Sequence, residues 1–224
     1  MSRDRILASI RSALEPRERE PARRRAARDR LDHPAEHLSL ARTRLPSADL
    51  ITLFKAHIAA LGADLIDVAA SAEILGAIAG YLKACQQPLR LRAGSDPFLS
   101  GLPWDLAGEL AVDHGPARAG DSAGLSRAVA GVAETGTLVL ASGPHNPVTL
   151  AFVPDTHLVV VRGETIVPGY EQAAEFVRAE LGGAGLPRTL NLVTGASRTG
   201  DIGGKIVMGA HGPRRLAVIL VADA

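Results

Sequence analysis

Residues 158–161 read Leu-Val-Val-Val and residues 216–221 read Leu-Ala-Val-Ile-Leu-Val, with no polar side chain at any position. A strand that keeps one face in water alternates apolar and polar residues. A run that never alternates is covered on both faces, as happens when helices pack on either side of a parallel sheet. The rest of the chain supplies such helices. From Ser47, Leu50, Ile51, Phe54, Ile58 and Leu61 form one apolar stripe, with Gly62 as its stop. A strand is expected over 63–68, a helix over 71–85, a strand over 89–93 and a turn at 94–97. Further strands are expected over 137–141, 148–153, 157–161, 190–194 and 216–221, with a helix over 170–181. Helices alternating with strands predict an α/β fold, a mainly parallel sheet flanked by helices and joined by right-handed crossovers.

The length of 224 residues suits one such domain, here 46–224, plus an appendage, 1–45. Hydrophobic residues make up 46% of the chain and aromatics only 3%, so the core is built from small aliphatics that let helices lie close to the sheet. In the appendage, Ile6, Leu7, Ile10 and Leu14 have helical spacing and define a short amphipathic helix. Beyond it, Arg17, Arg19, Arg23, Arg24, Arg25, Arg28 and Arg30 stand among glutamates with little to bury, which reads as a mobile or surface-draped connector. His33 and His37 lack a third ligand nearby and read as surface histidines.

The net charge of +1 gives no reason to expect nucleic acid as a partner. No apolar run approaches the roughly 20 residues of a membrane span, and the charged start Met1 to Arg5 lacks a signal-peptide core, so the expected compartment is the cytoplasm. Cys85 is the only thiol, too few for an iron–sulfur cluster, and no metal site is expected.

Four loops have the composition for chemistry. In the first, Glu134-Thr135-Gly136-Thr137, hydroxyls and amides surround a flexible glycine next to a carboxylate able to act as a base; the competing reading is a hairpin turn. The second, 142–147, is a Gly- and Pro-rich loop that either carries His145 and Asn146 to a cleft or is a plain turn. Ser197, Arg198, Thr199 and Asp201 form the third, read as the exit of a parallel strand into a helix, where helix amides and side-chain donors would hold a carboxylate or phosphate. Helix capping is the alternative there. The fourth runs from Gly209 to Arg214, opening the last strand, and carries His211 and Gly212; a structural histidine is the competing reading. On this reading Glu134 and His211 are the acid/base candidates; Thr135, Gly136, Thr137, Ser197, Arg198, Thr199 and Gly212 bind ligand, and Asp201 orients it.

Taken in order, AETGTLVL at 133–140, HLVVVR at 157–162, IVPGYEQA at 166–173, SRTGDI at 197–202 and GAHGPRRLAVILV at 209–221 resemble the lactate utilization protein C family and its LUD domain. Gly200 and Gly203 depart from the family pattern, which has alanine and glutamate there. The resemblance implies the fold shared by ribose-5-phosphate isomerase, glucosamine-phosphate deaminase and CoA-transferase proteins. It also implies a part in oxidising L-lactate to pyruvate alongside iron–sulfur partner proteins, with no cofactor held by this chain itself. Two other readings stay open at this point: a stand-alone enzyme on a small phosphorylated, acyl or CoA-linked substrate, and a non-catalytic binding or regulatory module.

Overall fold

The computed structural model describes residues 2–14, 20–33, 44–181, 187–202 and 205–222. The chain separates into two units, Met1–Leu38 and Ser39–Ala224.

The first unit holds α1 (Arg3–Ala13), started by Ser2, whose Oγ accepts the Arg5 amide, and α2 (Glu20–Asp32). No residue of α1 is buried; Ile6 and Ile10 are about half exposed, at 47% and 49%. The arginine-rich stretch reads from sequence as a mobile or surface-draped connector with no element assigned to it. Its described part is helical, because Ala, Arg and Glu are strong helix formers that need no buried face to favour the conformation. His33 lies 3.4 Å from Asp29 one turn earlier, whereas His37 falls outside the described residues.

In the second unit α3 (Ser47–Ala60), β1 (Asp64–Val68), α4 (Ile74–Ala84), β2 (Arg90–Ala93), a single turn α5 (Pro97–Ser100), β3 (Ala111–His114), β4 (Ala123–Arg127), β5 (Ala130–Val132) and β6 (Thr137–Ala141) follow in order. β7 (Thr156–Arg162), β8 (Ile166–Val167), α6 (Tyr170–Leu181), β9 (Leu190–Val193), β10 (Arg198–Ile202), β11 (Lys205–Met208) and β12 (Arg215–Val221) complete it. The main sheet runs β1-β12-β7-β4-β2-β3 with every pairing parallel, and the two aliphatic runs lie in its adjacent centre strands β7 and β12. A second sheet, β8-β5-β6-β9, is mixed, and β10-β11 is an antiparallel hairpin.

The reason the central strands never alternate is visible in the packing. Leu158, Val160, Ala217 and Ile219 point to α4, meeting Ile74, Ile78 and Leu82. Val159, Val161, Val218 and Leu220 point the other way, to Leu50, Phe54 and Ile58 of α3 and to Leu138 and Leu140 of the second sheet. The outer face of that second sheet is covered by Ala173 and Val177 of α6. Each fully buried Leu, Ile or Phe contributes roughly 1.5–3 kcal/mol, so these two continuous layers dominate the stability of the unit.

The chain passes directly from β4 of the main sheet to β5 of the second. The Ala128 amide still donates to Val160 of the main sheet at 2.9 Å, and the next amide, Val129, donates to Val139 of the second sheet at 2.9 Å. Two sequence expectations do not hold here. The 148–153 run is a single 3-10 turn, Val148–Ala151, set between Pro147 and Pro154. It lies on Gly124, where an added Cβ would come within 2.7 Å of the Leu150 carbonyl. The other concerns 190–194, expected to be parallel: β9 pairs antiparallel with β6.

Candidate functional site

Residues of the first loop gather with Thr194 and Tyr170 at one end of the second sheet. Thr137 is fully buried at the start of β6, and its Oγ1 lies 2.7 Å from Thr135 Oγ1, 2.9 Å from the Tyr170 hydroxyl and 2.7 Å from Thr194 Oγ1. Thr135 Oγ1 also donates to the Tyr170 hydroxyl at 3.1 Å. The hydroxyls therefore satisfy one another. The Glu134 amide donates to the Pro168 carbonyl at 3.1 Å, which ties this turn to the segment before α6.

Gly136 has a φ of +65°, which a side chain rarely adopts, and an added Cβ would meet His57 Cβ at 2.8 Å. The space its missing side chain leaves is taken by α3 rather than left for a ligand. Ser197 joins the fourth loop: its amide donates to Pro213, its carbonyl accepts from Gly209, and its Oγ accepts the His211 amide at 3.3 Å. A Cβ on Gly212 would face Ser197 at 3.6 Å. Arg198 donates to the Leu61 carbonyl at the end of α3.

The third loop was expected to open a helix. Instead Arg198 and Thr199 enter β10 and pair with Met208 and Val207 of β11, and the backbone of Asp201 lies in the same strand. A strand has no row of free N-terminal amides, so the anion site anticipated there lacks its main donors. The structure thus brings Thr135, Gly136 and Thr137 together with Thr194, and Ser197 together with His211 and Gly212. Their polar groups largely knit loops to one another.

The cleft lies at the other end of β6. It has a volume of about 840 Å³ and is lined by residues from four places: Asp96 and Pro97 after β2, Arg127 and Val129 where the chain passes between sheets, Ala141 to Asn146 after β6, and Pro187 to Thr189 before β9. Arg127 closes β4, and β4 and β2 run parallel, so the cleft opens at the carboxyl ends of parallel strands, where α/β sheets hold ligands. The second loop singled out in the sequence, 142–147, does reach it. Its position is fixed by close backbone contact: an added Cβ on Gly94 would lie 1.9 Å from the His145 carbonyl oxygen. The Asn146 side chain donates to the Ala141 carbonyl at 3.1 Å, and His145 Nδ1 shares a hydrogen bond with Ser95 Oγ at 3.0 Å.

Asp96, Arg127 and Arg188 were not among the sequence candidates. Asp96 is only 8% exposed. Its Oδ1 caps α5 by accepting the Phe98 and Leu99 amides at 3.1 and 3.2 Å, and both carboxylate oxygens accept Arg127 Nε–H at 3.0 Å. This leaves the two Nη groups of Arg127 without a protein acceptor among the described residues. Arg188, exposed at the rim, has no ion pair among them either. The available signal is the Asp96-Pro97 pair, which marks an N-cap; nothing comparable in the sequence marks Arg127 or Arg188. Among the described residues, no three His, Cys, Asp or Glu side chains converge on a metal-sized site. None of their helices is long and apolar enough to cross a membrane.

Residues 118–221 match the family model of the LUD domain, which covers most of the cleft and both central strands. The chain is 28% identical to a DUF162 family protein of Deinococcus radiodurans of known crystal structure, with a TM-score of 0.60 over 79% of this chain and 99% of that one. It is 34% identical over 122 residues to lactate utilization protein C of Geobacillus sp. (strain WCH70), covering 54% of this chain and 49% of that protein. With lactate utilization protein C of Bacillus subtilis (strain 168) the identity is 37% over 93 residues, covering 41% of this chain and 39% of that protein. The matched segment, set in a mainly parallel sheet flanked by helices, is similar to the LUD domain. Over the matched segments the chain is similar to lactate utilization protein C proteins. It matches about half, or less, of the length of these curated relatives.

Proposed function

We propose that this chain serves in lactate utilization, as the subunit of an L-lactate-oxidising complex that binds a carboxylate- or phosphate-bearing ligand, while companion proteins carry the iron–sulfur clusters. One observation carries this reading. The segment matched by the LUD family model supplies Arg127, Ser142 to Asn146 and Arg188, so the family-defining part of the chain builds most of the cleft.

The chemistry of the residues supports the division of labour. Oxidising lactate to pyruvate removes two electrons and two protons, and a chain whose only thiol is Cys85 lacks the four thiolates of an ordinary cluster. The electrons go to clusters in the partners. What Arg127 offers is a guanidinium held at Nε by Asp96, with its Nη groups turned to a bidentate anion, and fixing an anion in one orientation lowers the entropic part of a barrier. His145 is the one imidazole among the cleft-lining residues, and we assign it, ahead of Glu134 and His211, as the group placed to exchange a proton with a bound ligand.

The test is reconstitution. The purified chain alone should not reduce an electron acceptor in response to L-lactate, and the chain together with its iron–sulfur partner proteins should. Equal L-lactate oxidation by the partners in the absence of this chain would refute the proposal.

A further inference from the structure

The cleft is far larger than the three-carbon acid of the proposed pathway. L-Lactate fills roughly 100 Å³, about the share of three to four waters, against the cleft's volume of about 840 Å³. Cavities of this size hold ligands of cofactor or drug size, roughly 300–1,000 Å³. The two arginines occupy only part of the wall. Pro97, Val129, Pro144, Val148 and Pro187 present apolar surface beside them, and Val148 keeps 36% of its surface exposed.

We infer that the cleft binds an amphipathic organic anion, with a carboxylate or phosphate head on Arg127 and Arg188 and an extended apolar body along Val129, Pro144 and Val148. The argument is one of complementarity. Asp96 already receives two backbone amides and Arg127 Nε–H, so it orients the guanidinium without occupying its outer edge. A free anion satisfies that edge, and Arg188 adds a second cation at the rim. Each methylene buried tightens binding about fourfold, so an eight-carbon chain gains affinity that lactate cannot. The inference rests on the anion site proposed at Arg127 and names the class of its occupant, which calorimetry reads separately from reconstituted lactate oxidation.

Isothermal titration calorimetry of the full chain against four probes tests it: octanoate, octyl phosphate, 1-octanol and L-lactate. One of the two octyl anions should saturate at one site per chain, and which of them binds tighter identifies the head. Octanol, lacking the charge, and L-lactate, lacking the body, should each bind at least about tenfold more weakly. Arg127→Gln should reduce the anion to the octanol level, and Arg188→Gln, at an exposed position that the fold does not use, should weaken it severalfold. Val148→Asn, neutral and polar, should weaken the octyl anion more than it weakens L-lactate. Octanol binding as tightly as octanoate, L-lactate binding as tightly as either anion, or no saturable binding to the folded wild-type chain would each overturn the inference.

Discussion

Arg127 donates its Nε–H to both carboxylate oxygens of Asp96, at 3.0 Å each, across the gap between the ends of β4 and β2. The two side chains are 19% and 11% exposed, so the pair is shielded enough to matter energetically. Because Asp96 also caps α5, Asp96→Ala removes a cap and a charge partner together. It should destabilise the fold by about 2–4 kcal/mol, and Asp96→Asn, which keeps an acceptor for the amides, by about 1–2 kcal/mol. Urea unfolding of the two variants measures the difference.

Gly94 sets the position of the 142–147 loop by letting the His145 carbonyl lie where a side chain would be. Gly94→Ala should displace that loop, cost about 1–3 kcal/mol through overpacking, and alter the cleft. The His145 ring resonances in an NMR spectrum should shift. Unchanged stability and an unshifted ring would show that the contact is not needed.

His157 lies at the start of β7, wholly enclosed, with Nε2 3.1 Å from Ser126 Oγ. Burial lowers its pKa from 6.5 to about 3. The folded chain therefore stays neutral at this position where the unfolded chain takes up a proton. Above pH 6.5 both states are neutral and there is no effect. As pH falls below 6.5 the unfolded state is favoured by about 1.4 kcal/mol per unit, until the folded pKa is reached. His157→Gln, which keeps a partner for Ser126, should flatten the pH dependence of unfolding free energy between pH 6 and pH 4. An unchanged slope would assign the acid sensitivity to other groups.

The central strands, α3, α4 and α6 were legible because their apolar residues fall in runs or stripes. β4 was not: Ala-Gly-Leu-Ser-Arg has no hydrophobic period, and it is buried because Gly124 admits the 148–151 turn and Ser126 meets His157. Missing β4 meant missing Arg127, although the turn carrying Asp96 and the loop carrying His145 were both seen. The 197–202 stretch followed a strand and looked like a helix start. Only the distant pairing of Arg198 and Thr199 with Met208 and Val207 makes it a hairpin. The glycines at 136 and 212 read as openings for a ligand, yet the chain itself fills the first through His57 and brings Ser197 up to the second. Composition shows that a residue permits close approach, and tertiary structure decides what approaches.

The most direct test of the account compares the two ends of the second sheet. In the system reconstituted with iron–sulfur partners, L-lactate-dependent reduction of an acceptor is measured for Arg127→Gln and for the double variant Ser197→Ala with Thr199→Ala, each normalised to folded protein. Placing the site in the cleft predicts that Arg127→Gln lowers the rate about tenfold or more, the equivalent of one charged hydrogen bond, while the double variant stays within about twofold of wild type. The opposite pattern, with Arg127→Gln active and the double variant inactive, would contradict the account and return the site to the Ser197 end.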